Sequence, residues 1–295
     1  MSNMTDPTTS NGIDPHHRTR SPRAGWVRAL ALAAALAAPG FAAAQPGACP
    51  RAGHTVVMQG ELPRLLARLD QGRSLKIVAI GSSSTAGAGA SSPANSYPDQ
   101  LKADLIRRFP GHDIDVVNAG ANGQEVPDML ARLDRDVLAH KPDLVIWQFG
   151  TNGLLRGRSL TEMESAARIG IERMKAAGAE VVLMDLQHAP RIDSSPARDD
   201  ILAMMERLGR TTGTAVFHRY RLMKSWAASL GSSYSRMVHP DQLHMTDVSY
   251  RCMAAALAAS LYDAGGRRAL ALHAGSSLAA AVRVPAHPAR AASMP

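Results

Sequence analysis

A chain of 295 residues that is 45% hydrophobic, 20% charged and 4% aromatic has the make-up of a soluble globular protein, which excludes the disordered and collagen-like classes. Its formal charge of +8 sits mainly at the ends: residues 1–45 hold four Arg and two Asp, residues 265–295 hold four Arg and no acid, and the span between keeps 25 basic and 23 acidic side chains. That near-neutral span excludes the clustered basic footprint of a nucleic-acid-binding fold.

In chain order, Arg18, Arg20, Arg23 and Arg28 precede an apolar run from Ala29 to Ala38, then Pro39-Gly40 and Ala42-Ala43-Ala44. Basic, apolar and small-residue zones in that order predict a secretory signal peptide over residues 1–44, lengthened by a polar preamble up to His17. The apolar run is shorter than the ~20 residues of a membrane-crossing helix, so a periplasmic or secreted protein without a permanent membrane span is expected. Cys49 and Cys252 leave two readings open, one disulfide in an oxidising compartment or two free thiols.

Leu62, Leu65, Leu66 and Leu69 follow helical spacing and predict an opening helix. Five strand-like runs follow, at Leu75–Ile80, Ile114–Asn118, Leu144–Phe149, Glu180–Leu186 and Ala215–His218. Helical stretches lie between them at Tyr97–Phe109, Val126–Ala139, Leu160–Ala177 and Asp199–Thr212. Strands and helices alternating at this spacing predict a three-layer α/β/α fold, flavodoxin-like, with about five parallel strands joined by right-handed crossovers. The strands are continuous apolar runs, as expected where both faces of a sheet are covered. Thr246–Tyr262 reads as a closing helix, and the Ala, Arg, Pro and Ser beyond Gly265 predict a disordered tail over 265–295. One domain, 49–264, remains.

A doubly wound sheet gathers its site at the carboxyl ends of its strands. Those ends supply Gly81-Ser82-Ser83-Ser84-Thr85, Asn118-Ala-Gly-Ala-Asn-Gly123, Gly150-Thr151-Asn152-Gly153 and Asp185-Leu-Gln-His188, while Asp241-Gln-Leu-His244 stands ahead of the closing helix. A hydroxyl is a weak nucleophile unless an imidazole takes its proton and a carboxylate fixes the imidazole, so Ser, His and Asp with amide donors suit acyl transfer. Thr85 stands where a Gly-x-Ser-x-Gly elbow needs its last glycine, Ala86 breaks a P-loop and Ser92 breaks a dinucleotide fingerprint. No Cys/His spacing suits a metal, and no cofactor or metal is expected. His188 reads as a pocket-edge or structural residue, His239 has no carboxylate at a spacing like that of His244, Asp185 reads as a surface acid or one supporting the site, and Trp147 reads as core.

These blocks resemble the SGNH or GDSL hydrolases over about Leu75 to His244. Gly81-Ser82-Ser83-Ser84-Thr85 stands for the family's Gly-Asp-Ser-x-Thr and aligns Ser83 with its nucleophile. The resemblance implies an esterase or lipase in which His244 is the base, Asp241 orients it, and the Ser83 N–H, the Gly123 N–H and the Asn152 amide hold the oxyanion. It implies a small-molecule or polysaccharide ester as substrate. Three departures stand out: Ser82 for aspartate, Gly153 for the aspartate that often follows the asparagine, and Met245 for the proline after the histidine. Two alternatives use the same fold, a carbohydrate-binding protein that has lost turnover and an acyltransferase.

Overall fold

The computed structural model describes residues 48–50 and 57–280; the expected signal peptide and residues 281–295 lie outside the described residues. The elements are β1 (Met58–Gln59), α1 (Pro63–Asp70), β2 (Leu75–Gly81), α2 (Ser83–Ala86), α3 (Tyr97–Arg108), β3 (Ile114–Gly120), α4 (Val126–Ala131), α5 (Leu133–Asp136), β4 (Leu144–Gln148), α6 (Thr151–Leu155), α7 (Leu160–Ala176), β5 (Glu180–Met184), α8 (Pro190–Asp193), α9 (Arg198–Thr212), β6 (Ala215–Phe217), α10 (Arg219–Leu230) and α11 (Asp247–Ala280). They form one sheet in the order β1-β6-β5-β4-β2-β3.

All five expected strands are present and pair in parallel. Beside these five, Met58 and Gln59 add a sixth, short antiparallel strand at the edge, against Phe217 and Val216. Two residues carry no period that a sequence pattern could reveal.

Alternate side chains of each strand point to opposite faces. Ile77 and Ala79 of β2 join Leu101, Leu105, Trp226, Tyr250 and Leu257 on one side, where α1, α3, α10 and α11 pack. Val78 and Ile80 face Met129, Ala167, Ile171, Met204 and Leu208 on the other, under α4, α7 and α9. Both faces are therefore dry, and each large apolar side chain so buried stabilises the fold by roughly 1.5–3 kcal/mol. Trp147 is core as expected, fully buried with its indole N–H donating to Met129 Sδ at 3.1 Å.

Three elements depart from the sequence reading. The stretch 126–139 is not one helix, because it breaks at Arg132, whose backbone (φ −113°, ψ 6°) turns the chain between α4 and α5. The helix α10 was not foreseen, although Leu222, Met223 and Trp226 carry helical spacing. The closing helix runs on to Ala280, past the expected end at Tyr262. Ala, Leu and Arg flank Gly265 and Gly266, and two glycines at about 1 kcal/mol each do not end a helix of such good formers. Among the described residues, no helix is long and apolar enough to cross a membrane.

Cys49 and Cys252 form a disulfide, with 5.2 Å between Cα atoms and a sequence separation of 203. The bridge fastens the segment at Cys49 to α11. Closing so long a loop restricts the unfolded chain strongly, and losing a native bridge costs about 2–5 kcal/mol. Cys252→Ser is therefore expected to lower Tm by roughly 5–15 °C in a calorimetric scan. Wild-type protein held in reductant should melt with the variant.

Candidate active site

The order of the parallel strands reverses between β2 and β4: the chain steps outward from β2 to β3, then returns past β2 to β4. Loops leaving β2 and β4 diverge at such a point and open a crevice beyond their carboxyl ends. Ser83, Gly123 and Asn152 all follow these three neighbouring strands.

Ser83 opens α2 directly after β2, with Ser82 as the extended residue between them. The turn is sharp because α2 lies almost on the backbone of the strand ends. A Cβ on Gly81 would sit 2.1 Å from Thr85 Oγ1, and one on Gly120 would sit 2.1 Å from the Ala86 nitrogen and 2.6 Å from its Cα. Gly120→Ala must therefore push α2, and Ser83 with it, away from β3. A misplacement near 1 Å costs on the order of a hundredfold in rate, so kcat should fall about that much, with a stability loss of roughly 1–3 kcal/mol seen in denaturant titration.

Ser82 is buried, and its N–H and hydroxyl both donate to Gln148 Oε1 at 3.0 Å. The Thr85 hydroxyl donates to the same oxygen at 3.2 Å. The residue that replaces the family aspartate thus locks α2 to the end of β4. Gly153 is tight for another reason, since a Cβ there would meet Met163 Cε at 2.3 Å. Met245 is fully buried beside the bridge of Val238 to Met245 that holds the 239–244 turn.

His244 Nε2 lies 2.8 Å from Ser83 Oγ, and His244 Nδ1 lies 2.5 Å from Asp241 Oδ2. The other carboxylate oxygen accepts the N–H of Leu243 and of His244, each at 2.9 Å. Burial works against the Asp241 charge, but the His244 side chain and these two amides outweigh it and hold the carboxyl far below the ordinary carboxylate range. An ionised carboxylate only accepts, so Nδ1 carries the imidazole proton and Nε2 is left to accept from the Ser83 hydroxyl.

His239 does have a carboxylate neighbour, contrary to the sequence reading: its Nδ1 is 3.3 Å from the same Asp241 Oδ2. The turn brings them together, with Gln242 at φ 62° and its N–H donating to the His239 carbonyl. Asp185 is not a surface acid but 2% exposed, accepting the Tyr220 N–H at 2.9 Å and facing His218 Nδ1 at 3.3 Å.

Gly123 takes φ 73°, and its carbonyl accepts from Arg156 Nη1 at 2.9 Å. The Asn152 amide donates to the Gln124 carbonyl at 2.9 Å. An amide nitrogen has two hydrogens, so one is committed to this loop and one is left. Asn118, by contrast, bonds its own backbone, accepting the Gly120 N–H at 3.0 Å.

Two organising residues escaped the sequence reading. Arg132 is buried and donates to Gln124 Oε1 at 2.6 Å, to the Ala119 carbonyl at 2.8 Å and to the Gly81 carbonyl at 3.2 Å, joining the ends of β2 and β3 to the Gly123 loop. Gln187 accepts from the Thr151 hydroxyl at 3.0 Å and from Arg219 Nη2 at 2.8 Å, and donates to the Leu243 carbonyl at 3.2 Å. It connects α6 to the loop that carries His244. Neither has a motif; an arginine in a helical stretch reads as solvent-facing.

The model of the non-GDSL lipase-like family matches residues 48–267. An arylesterase of Vibrio mimicus is 33% identical over 118 residues, which are 40% of this chain and 57% of that protein. Esterase TesA of Pseudomonas aeruginosa is 34% identical over 80 residues, 27% of this chain and 40% of that protein. The matches thus span about half the length of these relatives. In fold, the chain is similar to a two-domain esterase active on acetylated mannans, with a TM-score of 0.61 and 22% identity over 71% of this chain and 55% of that one.

Proposed function

Since the chain belongs to the non-GDSL lipase-like family, we propose that it is a serine esterase that hydrolyses carboxylic esters. The observation that carries this reading is the contact series from Ser83 Oγ through His244 to Asp241, at 2.8 and 2.5 Å. Ser83 Oγ attacks the acyl carbonyl while His244 Nε2 takes its proton. The tetrahedral oxyanion is held by the N–H groups of Ser83 and Gly123 and by the second N–H of Asn152. His244 then passes the proton to the departing alkoxide, leaving an acyl-serine. Water attacks that acyl group, giving its proton to His244, and the collapse frees the acid and returns the proton to Ser83. Asp241 holds the imidazole and stabilises its charged form throughout.

The expected signal peptide and the Cys49–Cys252 bridge together support action in an oxidising compartment outside the cytoplasm. The fold likeness to an esterase active on acetylated mannans favours acetyl groups on polysaccharides among the substrates. Hydrolysis of short p-nitrophenyl esters tests the activity, and no turnover by folded protein would overturn it. Removing one oxyanion donor typically costs about 2.7–4 kcal/mol, so Asn152→Ala should lower kcat by roughly 10²–10³.

A further inference from the structure

Arg219 opens α10, with only His218 between it and β6, and it is fully buried. Its Nε donates to the Asp185 carbonyl at 3.0 Å and its Nη2 to Gln187 Oε1 at 2.8 Å. Burial opposes the guanidinium charge and the Asp185 carboxylate supports it; an arginine keeps its proton in a protein and only donates. We propose that Arg219 is a positioning residue of the reaction: it fixes the direction of the Gln187 amide and, through it, the place of the His244 imidazole. The proposal rests on the esterase reading and adds a residue outside the Ser83–His244–Asp241 series.

The Gln187 amide has an oxygen that accepts and a nitrogen that donates, so its direction decides every contact it makes. The Thr151 hydroxyl, 3.0 Å from Gln187 Oε1, can donate or accept and would tolerate either direction. Arg219 tolerates one: the oxygen must face it, which turns the NH₂ to the Leu243 carbonyl at 3.2 Å. Leu243 is then held at both ends, since its N–H donates to Asp241 Oδ1 at 2.9 Å. The next residue is His244, whose Nε2 meets Ser83 Oγ at 2.8 Å. Thr151 also precedes Asn152 in α6, so the same amide borders the helix that carries the proposed oxyanion donor.

Taking a guanidinium out of water is costly, and an apolar side chain of similar size often stabilises a fold as well or better. Stability alone gives little reason for an arginine here; a strong donor that cannot accept gives one. Without Arg219 the amide is held by the hydroxyl and the Leu243 carbonyl alone, and the Leu243–His244 peptide gains slack. A displacement near 1 Å costs on the order of a hundredfold in rate. The loss falls unevenly on substrates. Ethoxide is a strong base that leaves only as the imidazole hands it a proton, whereas p-nitrophenoxide is a weak base that departs without one.

The test measures kcat/KM, which reads the steps up to the acyl-enzyme, for ethyl acetate and p-nitrophenyl acetate on wild type, Arg219→Met, Gln187→Met and the double variant. Arg219→Met should lower it about tenfold for p-nitrophenyl acetate and about a hundredfold for ethyl acetate. Gln187→Met should do the same, and the double variant should fall within about threefold of it, because the two residues act as a unit. Unaltered rates in folded Arg219→Met, equal losses on both esters as a smaller folded fraction would give, or single effects that multiply in the double variant would each overturn the proposal. If Arg219→Met does not fold, Gln187→Glu decides. It is isosteric, keeps one oxygen toward Arg219 and sets the other against the Leu243 carbonyl, so the same uneven loss is expected with Tm retained; an equal loss or none would overturn the proposal. Wild type inert on both esters would overturn the esterase reading instead.

Discussion

Ser83→Ala should yield a folded protein whose kcat/KM on a short p-nitrophenyl ester is lower by at least about 10⁴-fold. On the proposed mechanism this hydroxyl, 2.8 Å from His244 Nε2, is the group that forms the acyl bond, with its proton placed for transfer as attack begins. Folding should survive because the links that hold α2 belong to its neighbours: Ser82 and Thr85 bind Gln148, and α2 packs against Gly120. Equal Tm with lost turnover separates a chemical role from a structural one. The residue left should be the background that amide donors and substrate binding supply alone.

Asp241→Asn should cost roughly 10⁴-fold in kcat with a much smaller change in stability. The amide can still accept the Leu243 and His244 N–H groups through its oxygen, so the turn keeps its cap. The other position becomes an NH₂ facing His244 Nδ1, where two donors repel unless the imidazole shifts its proton to Nε2. In that tautomer Nε2 cannot accept from Ser83. The pH dependence follows from the sign of the Asp241 shift. A carboxyl held below its unfolded value stabilises the fold above that value, near 3.9, and loses this stabilisation as pH falls through its lower folded value. Asp241 therefore stays ionised through mildly acid pH, and wild type should show no loss of stability from this group between pH 7 and 5 in urea titrations. As the side chain is 36% exposed, solvent screens its contribution and the difference from Asp241→Asn at neutral pH should be small.

The parallel sheet was legible because Leu75–Gly81, Leu144–Gln148 and Glu180–Met184 are runs buried on both faces and filled mainly by apolar residues, with polar residues at or near their ends. Ser83 stood out because it follows a strand end, and Asp241 and His244 because an Asp and a His three apart stand ahead of the closing helix; the structure brings the three side chains within 2.8 and 2.5 Å of one another. What stayed hidden acts through long polar side chains that have no required spacing. From the break between α4 and α5 Arg132 reaches Gln124, Ala119 and Gly81 besides its helix neighbour Asp136, and Gln187 spans from Thr151 to Leu243; these long-range links depend on how the elements meet rather than on neighbours in sequence. His239 was hidden because a left-handed Gln242 turns the loop back so that two histidines face one carboxylate. The purpose of Ser82 became readable only with Gln148 beside it, since a serine alone at the family's aspartate looks like a loss.

The most direct measurement is labelling of the folded wild-type protein with a fluorophosphonate, followed by peptide mass analysis. The probe reacts with a serine whose hydroxyl is activated by a base and whose neighbouring donors hold the resulting oxyanion, so it reads Ser83, His244 and the Gly123–Asn152 donors together. The account predicts one label per chain, on the peptide that contains Ser83, absent in Ser83→Ala and strongly slowed in His244→Ala. A folded wild-type chain that remains unlabelled, or carries the label on another serine, would contradict it.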